Sequence, residues 1–388
     1  MRLISLLAVV FLIVVVSRHS AVAGTRRDDV SDAEFLALAD SDPVFDAVGS
    51  LRWLEGGGSA LGSGTLIEDR WVLTAAHNID GFDGIGSGIS NLRFQLGATT
   101  VAAEQWIAHP NWFASGGELN LFSGWDIGLV QLRDPFNDVV PAELFSGSDE
   151  LGRTATAVGF GQTGTGLTGS QAGSSGTRRA GQNVIDVVGG TQTSGSNPAF
   201  AFGHDRILAV DFDRPGVAAE STLGSSSPLP LEYLTAPGDS GGGLFVESDG
   251  TQQLAGVTSF GSTIDGFINS DYGDRGSYTR VSRFIDWIVD TIAANTPATE
   301  DADFNQDGDV DGHDLLVWQR GFGTEGTLDT GDANGDGIVD QGDLLIWQNQ
   351  LQSPVGQAIA AVPEPSSAAS LTALITMLLA AERRRRRE

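Results

Sequence analysis

Three short stretches of the 388-residue chain carry side chains able to do chemistry together. Trp71, Val72, Leu73, Thr74, Ala75, Ala76 and His77 set an imidazole at the end of an apolar strand, with small residues leading to it. Trp125, Asp126, Ile127, Gly128, Leu129 and Val130 put a carboxylate at the mouth of another strand. Pro237, Gly238, Asp239, Ser240, Gly241 and Gly242 hold a serine in a glycine-rich turn whose backbone N–H groups can face one point. A hydroxyl is a poor nucleophile at neutral pH. It needs an imidazole to take its proton and a buried carboxylate to orient that imidazole. The sequence supplies one of each. The other histidines have a blander context: His19 lies in an apolar amino-terminal run, His109 precedes Pro110 in a turn, and His204 belongs to no motif.

The elements that must position these residues are short strands. Glycine numbers 52 in 388 residues and charged residues make up 19%, against about 7% and 25% in ordinary globular chains, which favours turn-rich β structure over long charged helices. Apolar runs at 65–67, 71–73, 127–132, 244–246 and 254–257 alternate with Gly, Ser and Asp clusters, so the segment from about 42 to 280 reads as an all-β domain. Phe284, Ile285, Ile288, Val289 and Ile292 recur at three- and four-residue spacing, which predicts an amphipathic helix over 282–294 closing that domain before Pro297. The Gly/Ser/Thr-rich stretch 161–177 is expected to be a long surface loop. With 22 basic against 50 acidic side chains the net charge is −28, which disfavours an electrostatic nucleic-acid binder. There is no cysteine, so disulfides, thiolate metal sites and a thiol nucleophile are excluded.

Chain order narrows the fold. Gly238, Ser240 and Gly242 also satisfy the G-x-S-x-G elbow of α/β-hydrolases, but that fold requires its histidine after the serine, and the only later one is His313 in an acidic loop. The order His77, Asp126, Ser240 on an all-β background instead resembles the trypsin/chymotrypsin family of serine endopeptidases. The resemblance runs over roughly residues 45–295 and includes the runs 62–67, 71–77, 126–129, 238–242, 259–261 and 276–281, with Trp287 in the final helix. It implies a chymotrypsin-like double β-barrel with a C-terminal helix. His77 would be general base, Asp126 its orienter and Ser240 the nucleophile of an acyl-enzyme, with the backbone N–H groups of Gly238 and Ser240 as oxyanion hole.

The same resemblance puts Leu234 at the base of the primary pocket and Gly261 and Gly276 on its walls, with Ser259 and Phe260 also contacting substrate. With no acid at that base, the expected preference is for an apolar or aromatic residue before the scissile bond. The family's active form pairs the carboxylate before the nucleophile, here Asp239, with a freed amino terminus. No Ile-Val-Gly-Gly segment follows a clear basic cleavage point; Ala47, Val48 and Gly49 look like the first strand, and trimming near Arg26 and Arg27 is left open.

A second chemistry lies beyond the β domain. Asp303, Asn305, Asp307 and Gly308 recur 29 residues later as Asp332, Asn334, Asp336 and Gly337. Each copy continues through an acid at loop position nine (Asp311, Asp340) to one at position twelve (Asp314, Asp343), then to a matching Leu-Leu-x-Trp-Gln segment ending at Gln319 or Gln348. Calcium takes six to eight oxygens around a tight turn, and this spacing delivers them, with position seven (Asp309, Ile338) offering its carbonyl. The tandem over 299–352 resembles a type I dockerin, a small α-helical, EF-hand-like module. The resemblance implies two Ca2+ ions and a possible cohesin-like partner. The usual recognition positions ten and eleven hold Gly312 with His313 and Gln341 with Gly342.

The ends read as addresses. Arg2, an apolar run over 3–16 and Ala21, Val22 and Ala23 form a secretory signal over 1–23. After a linker at 353–361, Pro363, Glu364 and Pro365 precede a mostly apolar stretch of 14 residues and the arginines 383–387, which resembles the PEP-CTERM sorting signal (362–388) of Gram-negative bacteria. That implies exosortase processing, transient membrane contact and a final place at the cell surface, outer envelope or extracellular matrix. The reading is a secreted serine endopeptidase over 24–295 with a calcium-binding appendage; the alternative is a catalytically silent adhesion or matrix protein on the same scaffold.

Overall fold

The computed structural model of the chain describes residues 24–80, 88–114, 121–189, 204–263, 265–295, 301–335 and 337–351. The expected export signal, linker and sorting signal, together with His19 and Asp336, lie outside the described residues. The chain divides between Ile292 and Ala293 into two compact units. Among the described residues no helix is long and apolar enough to cross a membrane.

The larger unit begins with β1 (Gly24–Arg26) and α1 (Asp32–Ala39). Then come β2 (Val48–Glu55), β3 (Gly58–Glu68), β4 (Trp71–Thr74), α2 (Ala76–Asp80), β5 (Ser90–Leu96), β6 (Thr99–Ala108), α3 (Pro110–Ala114) and β7 (Gly128–Leu132). The six strands β2-β3-β4-β7-β6-β5 form a closed antiparallel barrel. In β5 the two-residue period of a strand puts Leu92, Phe94 and Leu96 inward. Leu51, Leu66, Leu73, Phe94 and Leu129 are all fully buried in one apolar core, each contributing about 1.5–3 kcal/mol relative to an exposed side chain. Val48 opens β2, the first barrel strand, as its sequence suggests.

The chain continues through β8 (Thr154–Gly159), β9 (Thr163–Thr165), β10 (Gly169–Ser170), β11 (Arg179–Val184), β12 (Val187–Val188), β13 (Ile207–Asp211), β14 (Tyr233–Leu234), β15 (Gly243–Ser248), β16 (Thr251–Ser262), β17 (Arg275–Arg280) and α4 (Ile285–Asn295). Seven of these form a sheet ordered β11-β8-β15-β16-β17-β13-β12. Its edge strands are joined by Ile185 and Asp186 alone, so the sheet curls back on itself around a second core that includes Phe145, Leu208, Val210, Leu244 and Tyr278.

Two expectations need correction. Residues 161–177 are not simply a loop: they contain β9 and β10, which join β1 and β14 in a four-stranded sheet ordered β10-β9-β1-β14. Their glycines and threonines bury little apolar surface, and it is backbone pairing with the distant β1 that orders them. The final helix starts at Ile285, after a helical turn at Val281–Arg283, and Val289 is 55% exposed while Phe284, Ile288 and Ile292 are buried.

The smaller unit holds α5 (Gly312–Gly321) and α6 (Gln341–Leu351). Phe304, Trp318, Val339, Ile346 and Trp347 share its core. Each repeat's tryptophan braces the other loop: Trp318 Nε1 donates to the carbonyl of Asp340, and Trp347 Nε1 to that of Asp311, both at 2.8 Å. This reciprocity explains why the tryptophans repeat along with the acids.

Candidate active site

His77 enters through β4, whose last residue Thr74 is followed, after Ala75 alone, by the first turn of α2. The Asp126 carboxylate is fully buried just before β7. It accepts the His77 backbone N–H at 2.9 Å, lies 2.8 Å from His77 Nδ1, and accepts the Ser259 hydroxyl at 2.5 Å. The Asp126 carbonyl accepts from Thr279 Oγ1 at 2.8 Å. A carboxylate facing Nδ1 assigns the ring proton there and leaves Nε2 as the acceptor, aimed elsewhere.

The serine turn lies between β14 and β15. The Asp239 N–H donates to Ala236 O at 2.9 Å, Gly242 N–H to Asp239 O at 2.7 Å, and Gly241 N–H to Thr258 O at 2.8 Å. Gly241 has φ +84°, and a Cβ there would fall 2.1 Å from Thr74 Oγ1 and 2.2 Å from Ser63 O, so only glycine fits. Ser240 presents its own carbonyl to two donors from the first barrel, the Ser63 N–H and Asn78 Nδ2, each at 2.8 Å. Asn78 follows His77 in α2, so one side-chain bond locks the helix carrying the imidazole to the residue carrying the hydroxyl. Among the described residues, the backbone N–H groups of Gly238 and Ser240 have no hydrogen-bond partner.

His77 and Ser240 open on one cleft of about 270 Å³, lined also by Leu121, Thr235, Ala236, Pro237, Thr258, Ser259, Phe260, Gly261, Ile268 and Ser270. Of the predicted substrate contacts, Ser259, Phe260 and Gly261 line it. Leu234 and Gly276 do not: Leu234 is 1% exposed in the second core, where its Cδ1 would lie 3.1 Å from a Cβ built on Gly276. Among the described residues, no Asp, Glu, Lys or Arg side chain lines the cleft. Asn78 and Ser63, and the hold of Ser259 on Asp126, had no signal in the sequence, because nothing in a local pattern marks a side chain that bonds to a residue more than 130 positions away.

The remaining described histidines are set apart. His109 stacks on Trp125 at 4.7 Å and packs on Trp287 at 4.9 Å, and burial pulls its pKa down to about 4, so it is a neutral wedge under α4. His204 is exposed. His313 sits beside Asp311 in the tandem module.

A second buried ionisable group of side chains flanks β13. Burial, with neighbouring Asp211 and Asp213, raises Asp186 to about 7; burial raises Glu232 to about 8; burial and Asp211 raise Asp213 to about 6. Below those values the acids are neutral in the folded chain, and as pH rises through them they must ionise against a low dielectric. Their contribution to stability is therefore full below about pH 4 and is lost as pH climbs through 6 to 8, at up to about 1.4 kcal/mol per pH unit for each group. Melting temperature measured from pH 5 to 8.5 is expected to fall across that window, and Glu232→Gln to flatten the fall. A melting temperature that rises with pH in the wild type overturns this.

In the tandem module, Asp314 and Asp343 are fully buried. Asp314 accepts the N–H groups of Asn305 and Asp311; Asp343 accepts those of Ala333, Asn334 and Asp340. Asp303 accepts from Asp307 and Gly308, and Asp332 Oδ2 from Gly337, while among the described residues Asp332 Oδ1 is buried without a partner. Asn305 and Asp307 bond to each other at 2.9 Å. Among the described residues no group of three or more acidic or histidine side chains is already gathered as a metal site. Even so, the orphan oxygen of the buried Asp332 suits a hard cation. Asp309, Asp311, Ile338 and Asp340 occupy the remaining loop positions.

A family model described as Trypsin matches residues 46–194 and 226–288. Complement C1s subcomponent of Rattus norvegicus is 27% identical over 258 residues, spanning 63% of this chain and 34% of that protein. Snake venom serine protease KN6 of Trimeresurus stejnegeri is 28% identical over 249 residues, spanning 62% of this chain and 81% of that protein. The solved structure of neuropsin, a serine protease of mouse brain, aligns over 63% of this chain and 93% of its own with 24% identity and a TM-score of 0.45.

Proposed function

The chain belongs to the trypsin family, and on that premise we propose that it is an exported serine endopeptidase acting through Ser240, His77 and Asp126. What carries the reading is the buried His77–Asp126 bond of 2.8 Å on a cleft that also exposes Ser240 beside two unbonded backbone N–H groups. Ser240 Oγ attacks the scissile carbonyl carbon while His77 Nε2 takes its proton. Asp126 keeps the ring in the required tautomer and stabilises the imidazolium. The carbonyl oxygen becomes an oxyanion held by the Gly238 and Ser240 N–H groups, each donor worth about 3 kcal/mol in such a site. The protonated His77 then gives its proton to the leaving amine, an acyl-enzyme remains, and water activated by His77 releases the acid.

The neutral cleft supports preference for an apolar or aromatic residue before the scissile bond. A guanidinium would lose its hydration there and gain no carboxylate. In a panel of peptides differing at that residue, kcat/KM for Phe or Leu is expected to exceed that for Arg by roughly tenfold or more. Faster cleavage after Arg would sink this preference.

The tandem module is proposed to bind two calcium ions, through Asp303, Asn305, Asp307, Asp309, Asp311 and Asp314 in one loop and Asp332, Asn334, Asp336, Ile338, Asp340 and Asp343 in the other. The ions would cancel the repulsion of each acidic loop and hold α5 and α6 together. Attachment to a cohesin-like partner, export by the amino-terminal signal and surface sorting by an exosortase complete the proposal. A fluorophosphonate probe tests the central claim, since only a base-activated serine labels. A catalytically silent scaffold would leave the protein unlabelled.

A further inference from the structure

The amino-terminal segment is built into the larger unit at the point where the serine turn is anchored. Strand β1 lies between β9, to which it runs parallel, and β14, to which it runs antiparallel, with Thr25 opposite Leu234 and Arg26 opposite Tyr233. Thr25 is fully buried and its hydroxyl donates to Leu234 O at 3.2 Å. Gly24 has φ +59°, and a Cβ there would fall 1.8 Å from the Tyr233 hydroxyl oxygen, so the backbone of β1 runs directly against that ring. From the following helix the fully buried Phe35 stacks on Tyr233 with ring centroids 6.3 Å apart. Asp32 takes the buried Arg179 of β11 in a two-pronged bond at 2.7 and 2.6 Å. Arg26 bonds to Val30 O at 2.6 Å and Arg27 to Leu229 O at 2.8 Å, which ties the dibasic pair down on both sides.

Tyr233 in turn reaches the residue before the nucleophile. Its hydroxyl donates to Asp239 Oδ2 at 3.4 Å. The Asp239 carboxylate also accepts Ala236 N–H on Oδ2 at 2.9 Å and Gly161 N–H on Oδ1 at 2.7 Å. It is 1% exposed, and among the described residues all its hydrogen-bond donors are neutral and it forms no ion pair. The turn that presents Ser240 is therefore fastened through Asp239 to β14, to the chain after β8 and, through Tyr233, to the segment 24–39. Removing residues through Arg27 would strip a strand from the middle of a four-stranded sheet and uncover one side of Tyr233.

We infer that residues 24–39 form a permanent strap that holds the Ser240 turn through Tyr233 and Asp239, so that the protease is competent with its Arg26–Arg27 pair uncut. This rests on the reading of Ser240 as nucleophile. Tyr233 and Asp239 are positioning residues, since neither lines the cleft. The test labels the exported full chain with a fluorophosphonate probe and maps the amino-terminal peptide of the labelled molecules by mass spectrometry. Labelled molecules are expected to retain residues 24–27. Label confined to molecules that begin at Asp28 or later overturns the strap and leaves the serine chemistry standing; no label on any species overturns the serine chemistry and takes the strap with it.

A second arm uses Tyr233→Phe, which keeps the ring and its packing and removes only the hydroxyl. It is expected to lower kcat about three- to tenfold at temperatures well below the melting transition, with KM at the wild-type value, while the lost hydrogen bond to a buried carboxylate also lowers the melting temperature by a few degrees. An unchanged kcat, or a kcat loss seen only near the melting transition, removes Tyr233 from the positioning role.

Discussion

Ser240→Ala is expected to abolish fluorophosphonate labelling and to lower kcat on a peptide substrate by about 10⁴-fold or more, with the melting temperature within about 1 °C of wild type. The kinetic loss is large because the hydroxyl is the atom that forms the acyl bond; what survives is the contribution of binding and of the Gly238 and Ser240 N–H groups. The stability effect is small because Ser240 is only partly buried and both bonds that hold it in place go to its backbone carbonyl, which alanine retains. Asp126→Asn should cost about 10⁴ in kcat by a different route. The amide can turn an N–H toward His77 Nδ1, which favours the tautomer with its proton on Nε2, and the ring can then no longer receive the serine proton. The double variant is expected to be scarcely worse than either single change, since the three side chains act as one unit. Equal turnover by wild type and Ser240→Ala would end the enzyme reading.

Chelation of calcium from the full chain is expected to unfold the tandem module and leave the protease unit folded and active. Asp314 and Asp343 are buried at the start of their helices in loops rich in acids, and among the described residues hydrogen bonds to their carboxylates come from backbone N–H groups, beside a small core. Calcium at 1,000 times its Kd would add about 4 kcal/mol by mass action, comparable to the whole stability of a domain of this size. Hydrogen exchange followed by mass spectrometry reads the two units separately. Peptides from 312–321 and 341–351 should lose protection by orders of magnitude on chelation, and those from β4, β7 and β15 should not change. Identical exchange with and without calcium would refute the metal assignment.

Much of the site was legible because its chemistry is local. Strand patterns, small residues before His77 and glycines around Ser240 are properties of neighbouring residues, and the order of the three stretches excluded the α/β-hydrolase alternative. The final helix was legible by period, though Val289 faces solvent where the apolar stripe is wider than the contact. The wall of the cleft was less legible, because spacing says which residue occupies a position along the strand but not which face it uses: Leu234 packs in the second core and Thr235 lines the cleft.

By itself the sequence determined the short-strand class, the three stretches that carry the proposed His77, Asp126 and Ser240 chemistry and the twofold acidic loop, since each follows from residue type and spacing within a few positions. Only the tertiary structure decided that Asn78 ties the His77 helix to Ser240, that Ser259 holds Asp126, and that a dibasic amino-terminal segment becomes a central strand against Tyr233. The physical reason is common to all three. Each is a hydrogen bond or close packing between residues far apart in the chain, whose partners are fixed when the β-sheets close and leave no trace in local composition.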